Sequence, residues 1–170
     1  FDIDSGDSPL VIPAKDLREL IRNTSFAMGN QDWRHYLNGL YLSIGGGEIT
    51  AVTTDAHRLA VANLSTQSDN FFSGIIPRKS INEMAKFLSD EDGDAELKIN
   101  EASLELAVGN LIFKSKLIDG KFPDYQQVIP SGESSVLEIN VKDFSETLSR
   151  VSVLSSEKYK GIRLITSSEG

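Results

Sequence analysis

Cysteine is absent from all 170 residues, so disulfide cross-links, thiolate nucleophiles and zinc sites built on cysteine are excluded, and a reducing cytoplasm fits the sequence. Long apolar runs are missing as well. Nothing approaches the roughly 20 residues that a bilayer-spanning helix requires, so none of these residues reads as a membrane segment. Positive charge is scarce, with 17 Lys and Arg against 25 Asp and Glu and a net charge of -8. Such a balance argues, at first sight, against a nucleic-acid partner, because phosphate binding needs a positive surface. The first residues, FDIDSGDSP, lack the basic-then-apolar pattern of a secretory signal and read as a linker over residues 1–8.

What is present is a globular composition, 39% hydrophobic and 25% charged, sufficient for one domain with a proper core and part of a second. The few basic residues are placed in order. Pro13 to Thr24, PAKDLRELIRNT, has a proline near its start and Leu17, Leu20 and Ile21 at helical spacing. At about 100° per residue, Lys15, Arg18 and Arg22 fall within roughly 60° of one another on the opposite face. Arg78 to Leu88, RKSINEMAKFL, repeats the design: Ile81, Met84, Ala85 and Leu88 share a face, with Lys79 and Lys86 opposite. Arg18 and Lys79 are expected to point most directly away from the apolar stripes.

Between the helices the pattern alternates with period two. Leu37 to Ile44, a Gly45-Gly46-Gly47 turn and Glu48 to Thr54 form a hairpin signal, and His57 to Asn63 could supply the next strand. Phe71 to Ile76 precedes the second helix, and Ala95 to Asn100, Ser103 to Val108 and Leu111 to Lys116 follow it. Each half thus reads strand, helix, three strands, a repeat of architecture rather than of residues. The expectation is an α+β chain of curved antiparallel sheets with two helices on one face. After Pro130-Ser131-Gly132 a third copy begins, with a strand at Val136 to Ile139, a helix at Val141 to Val153 and a strand at Gly161 to Thr166. Those elements cannot close a domain, so the chain is expected to stop inside its second unit.

The stretch TTDAHRLAV, residues 53 to 61, sets Asp55, His57 and Arg58 between two apolar runs. Two chemistries are compatible with it in principle. A hydrolase could pair Asp55 and His57 with Ser43, Ser65 or another serine, although no GxSxG motif is present and the acid and imidazole sit across a turn. A metal could bind His35 and His57 with Asp32 or Asp55, without HExxH or His-x-His spacing to support it. The third reading is a polar turn between strands.

Five stretches occur in one order along nearly the whole chain: YLNGLYL at 36–42, TTDAHRLAV, IIPRKSI at 75–81, KLIDGKFPDYQQVIP at 116–130 and SSEKYKGIRL at 155–164. Together they closely resemble the bacterial DNA polymerase III beta subunit family, the sliding clamps. The resemblance implies the DNA clamp fold, with a central domain over residues 9–130 and the truncated start of a C-terminal domain over 131–170. It implies no enzyme activity and no cofactor or metal. The function it implies is that of a processivity factor: a homodimeric ring around duplex DNA that tethers the polymerase catalytic subunit, the clamp loader and other proteins carrying a clamp-binding motif. By the same resemblance Lys15, Arg18, Arg22, Lys79 and Lys86 line the DNA channel, and the loop with Gln31, Arg34, His35 and Tyr36 reaches toward DNA. A peptide-binding pocket would be formed by Leu37, Thr54, Ala56, His57, Arg58, Leu59, Pro123, Gln127 and Val128. Ala56 replaces a familiar glycine, which leaves a positive backbone angle there open, and Gln127 replaces a familiar arginine. A peptide-binding adaptor that never encircles DNA is the alternative, and the cytoplasm, at the nucleoid, is the expected location.

Overall fold

Each half opens with a short strand that a proline ends. The computed structural model describes residues 9–89, 92–132, 136–155 and 161–166; the expected linker at 1–8 and residues 156–160 of the SSEKYKGIRL stretch lie outside them. Strand β1 (Leu10–Pro13) and helix α1 (Ala14–Thr24) adjoin without a loop. In the second half, the strand Phe72–Pro77 and the helix Arg78–Phe87 do the same. Pro13 (φ -53°, ψ 129°) and Pro77 (φ -56°, ψ 144°) hold the chain extended at the junction. Their missing N–H leaves no donor unsatisfied there. The first predicted helix therefore yields Pro13 to the strand, and the second ends one residue early. Val11-Ile12-Pro13 and Ile75-Ile76-Pro77 are thus equivalent, a residue-level echo finer than the architectural repeat expected from the sequence.

The remaining strands of the first half are β2 (Gly39–Gly45), β3 (Glu48–Thr54) and β4 (Leu59–Ser65). Phe72–Pro77 is β5 and Arg78–Phe87 is α2, followed by β6 (Asp94–Ile99), β7 (Ser103–Val108) and β8 (Leu111–Lys116). All pairings are antiparallel, in two four-stranded sheets ordered β4-β3-β2-β5 and β1-β6-β7-β8. The first strand of each half has crossed into the other half's sheet: Leu10 faces Leu97, and Ile76 faces Leu40. The β2–β3 connection is a two-residue turn in which Gly46 and Gly47 take φ of 61° and 79°, the mirror-image turn whose twist matches a hairpin. β4 begins two residues later than expected, so His57 lies in a turn; a shift of two keeps every side chain on its anticipated face.

One core joins both sheets and both helices. Leu17, Leu20 and Ile21 of α1 and Ile81 and Met84 of α2 are buried with Leu42, Ile44, Leu97, Leu104 and Leu106. Each such side chain contributes roughly 1.5–3 kcal/mol by leaving water. An arginine of each helix also reaches across to the other half, to the end of α2 or to the loop that follows α1. Arg18 Nη1 donates to the carbonyls of Leu88 and Ser89 at 2.8 and 2.9 Å, and Arg78 Nη1 donates to those of Met28 and Gly29 at 2.9 and 3.1 Å. Arg18 is consequently partly buried rather than aimed freely away from the apolar stripe, because the end of α2 lies within its reach.

A second, smaller cluster lies apart from this core. After β8 the chain returns along β5, where Ile118 N donates to Ile75 O at 2.8 Å. Phe122 then stacks on Tyr41 with centroids 5.0 Å apart, and Val52, Ile75, Tyr36, Leu59 and Tyr125 join it.

Residues 1–129 and 130–170 form two separate compact units. In the second, helix α3 (Val141–Ser152) is capped by Asn140, whose Oδ1 accepts from the N–H groups of Lys142 and Asp143. The strands expected at Val136 to Ile139 and Gly161 to Thr166 are not strands. Among the described residues neither segment has a neighbouring ladder, and without one an apolar alternation has nothing to hydrogen-bond.

Candidate functional site

The turn between β3 and β4 is built from its own polar atoms. Thr54 and Leu59 form the last pair of the ladder. Between them, Thr54 Oγ1 accepts from Ala56 N at 3.0 Å and donates to Arg58 O at 2.7 Å. Asp55 Oδ1 accepts from the backbone N–H groups of His57 and Arg58, at 3.0 and 3.1 Å, and Oδ2 takes Arg58 Nε at 3.1 Å. Partial burial alone would raise the Asp55 carboxyl; those donors outweigh it and hold the pKa below the ordinary value. Ala56 adopts φ of 70°, so the positive angle left open by the loss of glycine is present with a side chain on it. The buried hydroxyl of Thr53 bonds the carbonyl of Thr24, fixing this end of β3 to the end of α1.

These contacts bear on the catalytic readings. Asp55 binds the backbone N–H of His57, not its ring, so the acid does not orient the imidazole. Ser65 sits at the far end of β4 from Leu59, roughly 20 Å away at strand rise. Ser43 pairs with Thr50, four residues before Thr54. Among the described residues no group of three or more His, Cys, Asp or Glu could hold a metal ion.

Opposite the turn lies the loop before β2. Asp32 receives Arg34 through Nε at 2.9 Å and Nη2 at 2.8 Å, and also accepts the backbone N–H of Arg34 at 2.8 Å. The Arg34 side-chain and backbone hydrogen bonds hold the Asp32 carboxyl well below the usual range, at about 2. Asn38 clasps the same residue through its backbone, accepting from Asp32 N and donating to Asp32 O. Gln31 adopts φ of 56°, and Trp33 is 81% exposed with the Arg34 guanidinium 5.7 Å from its ring. Trp33 therefore does not anchor the loop to the core; the Asp32 hydrogen bonds to Arg34 and Asn38 fold the loop on itself.

Turn, loop and the segment from Pro123 to Val128 enclose one cavity of about 470 Å³. Leu37, Thr54, Ala56, His57, Arg58, Leu59, Pro123 and Val128 all line it. Gln127 does not: it points to Asp124, with Nε2 2.8 Å from Oδ2. Arg34 and Tyr36, expected to face DNA, line the cavity too. Asp124 and Tyr125 complete it and were not foreseen, although the three-residue spacing of Phe122 and Tyr125 in FPDYQQV is a signal that both rings return to one side. The apolar walls rest on the second cluster, where Leu59 and Tyr125 pack beside the Phe122–Tyr41 stack.

The basic stripes are exposed with one exception. Lys15 and Lys79 have no ion-pair partner among the described residues, whereas Lys86 meets Glu83 at 3.0 Å and Arg22 lies 3.9 Å from Glu19. Arg18 is the exception, engaged at the end of α2. Gln31 and His35 are exposed on their loop.

Known proteins share this sequence pattern and fold. Residues 11–124 match a family model described as the DNA polymerase III beta subunit, central domain. The chain is 43% identical over 161 residues to the beta sliding clamp of Pseudomonas aeruginosa, covering 94% of this chain and 44% of that protein. It is 38% identical over 157 residues to the beta sliding clamp of Escherichia coli K12, covering 92% and 43%. Among solved structures it resembles the DNA polymerase sliding clamp from Pseudomonas aeruginosa, with a TM-score of 0.87 at 40% identity, covering 94% of this chain and 45% of that one. A Pseudomonas aeruginosa sliding clamp bound to griselimycin gives 0.85 at 38%, covering 94% and 44%. The chain spans less than half the length of these relatives.

Proposed function

We propose a function from one premise: the chain belongs to the DNA polymerase III beta subunit family, the beta sliding clamps. The whole protein is a processivity clamp, a non-catalytic homodimeric ring around duplex DNA that works in the cytoplasm, at the nucleoid. Residues 9–130 form its central domain and residues 131–170 begin the next. The observation that carries the reading is the cavity between the Thr54–Leu59 turn and the Pro123–Val128 segment. Its volume suits a pair of large apolar side chains, and its rim offers a few polar groups to fix their register, as peptide-recognition sites do. One relative with the same fold is a clamp bound to griselimycin. Tails of the polymerase catalytic subunit, the clamp loader and other partners occupy this cavity in turn. Each bound partner then stays near the primer end at high effective concentration instead of returning by diffusion.

Sliding requires contacts to DNA that position without reading sequence, which phosphate contacts provide. Exposed Lys15 and Lys79, with Arg22 and Lys86 beside their carboxylates, serve that purpose, and the loop at Gln31, Arg34, His35 and Tyr36 approaches DNA beside the cavity. The test uses the full-length protein. Leu59→Asp places a charge in the apolar wall, and anisotropy of a fluorescein-labelled clamp-binding peptide from the polymerase should show binding abolished while the thermal melt is retained. Unchanged affinity would remove the cavity from the mechanism. In parallel, loaded wild-type protein should persist on nicked circular DNA and run off linear DNA. Equal loss from both favours an adaptor that does not encircle DNA.

A further inference from the structure

The charges around the cavity are not evenly matched. Arg34 is bound by Asp32 and Arg58 by Asp55, so each guanidinium at the rim already carries its own carboxylate. Asp124, which also lines the cavity, has no such counter-charge among the described residues: its carboxylate meets the neutral amide of Gln127, at Oδ2. Lys121, the cation nearest in the same segment, is not among the lining residues. The mouth of an otherwise balanced site therefore presents one exposed negative group, held in place by an amide that cannot neutralise it.

We propose that Asp124, oriented by Gln127, is a specificity determinant of the cavity: it favours peptides carrying a basic residue or amide donor beside their apolar pair and disfavours those carrying a carboxylate there. The inference rests on the peptide-binding reading above. Two features make the position selective. Gln127 occupies Oδ2 and leaves Oδ1 with no hydrogen-bond partner among the described residues, open to a donor from the ligand. A ligand carboxylate at the same place would meet a like charge that has no ion-pair partner among the described residues, a repulsion that discriminates against the wrong partner more than it strengthens the right one.

The experiment compares two fluorescein-labelled versions of the polymerase's clamp-binding peptide, with Lys or Glu next to the apolar pair. Both are titrated against the full-length protein by anisotropy at one fixed pH. The Lys peptide should bind about three- to tenfold more tightly at low salt, the range of exposed charge pairs, with the two affinities converging at high salt. Asp124→Asn and Gln127→Arg should each remove the difference, the first by deleting the charge and the second by pairing it; both positions are exposed, and thermal melts check that each variant is folded. Equal affinities in the wild type, or a preference for Glu, overturn the inference while the cavity stands. Failure of both peptides, and of the unmodified parent, to bind overturns the cavity reading itself, and this inference with it.

Discussion

At Ala56 a methyl group sits on backbone that favours glycine, with φ of 70° imposed by the hydrogen bonds of Thr54 and Asp55. A left-handed non-glycine residue costs roughly 1–2 kcal/mol, and glycine gives back part of that through its freer unfolded chain. Ala56→Gly should therefore stabilise the protein by about 0.5–1 kcal/mol, visible as a raised urea midpoint with an unchanged slope. Asp32 offers a test by pH. Its folded pKa lies at about 2, below the ordinary 3.8, so its contribution is complete above the ordinary value and is lost as pH falls through about 2. Trp33 is the only tryptophan in the chain and sits beside it, so its emission should titrate with a midpoint near 2, and Asp32→Asn should abolish that step. A midpoint near 4 would mean that the Arg34 hydrogen bonds do not persist in solution. Residue types alone left TTDAHRLAV open between a catalytic trio, a metal site and a polar turn, and they could not set its backbone angle, which depends on which side-chain oxygen accepts which N–H.

Among elements, the helices were legible because apolar residues at helical spacing fix the buried face: Leu17, Leu20, Ile21, Ile81 and Met84 are buried as expected. The role of Arg18 was not legible. Its partners, Leu88 and Ser89, are 70 and 71 residues away, and no local period reports a contact between helices. Removing it leaves two carbonyls at the end of α2 without their donor, at roughly 1–3 kcal/mol. Arg18→Ala should lower the urea midpoint accordingly, whereas Lys79→Ala, on an exposed side chain, should leave it within about 0.5 kcal/mol of wild type. If both variants are equally stable, the grip between the helices contributes nothing and Arg18 is an ordinary surface cation. The second cluster was half legible. KFPDYQQV stood out as part of a family resemblance, but the stacking of Phe122 on Tyr41 needs the chain to fold back over about eighty residues, which alternation and spacing do not encode.

For the molecule as a whole, the strand-helix-three-strand order could be read directly, while the assignment of strands to sheets could not. Period-two alternation shows that a segment has one buried face, and says nothing about which neighbour it pairs with; the same blindness produced the unformed strands at Val136 to Ile139 and Gly161 to Thr166. The exchange of β1 and β5 has a further consequence. A cut in the connection between Ser65 and Phe72 would leave two pieces of similar design, each missing a strand that the other carries. Alone, each would display an unsatisfied sheet edge and an uncovered apolar face, and should remain without cooperative structure by circular dichroism. Mixed in equal amounts they should reassemble, regaining a single thermal transition that neither shows by itself. Two duplicated halves that lend each other their opening strand cannot drift apart into independent modules: the loan that joins them is also what makes this domain a single folding unit.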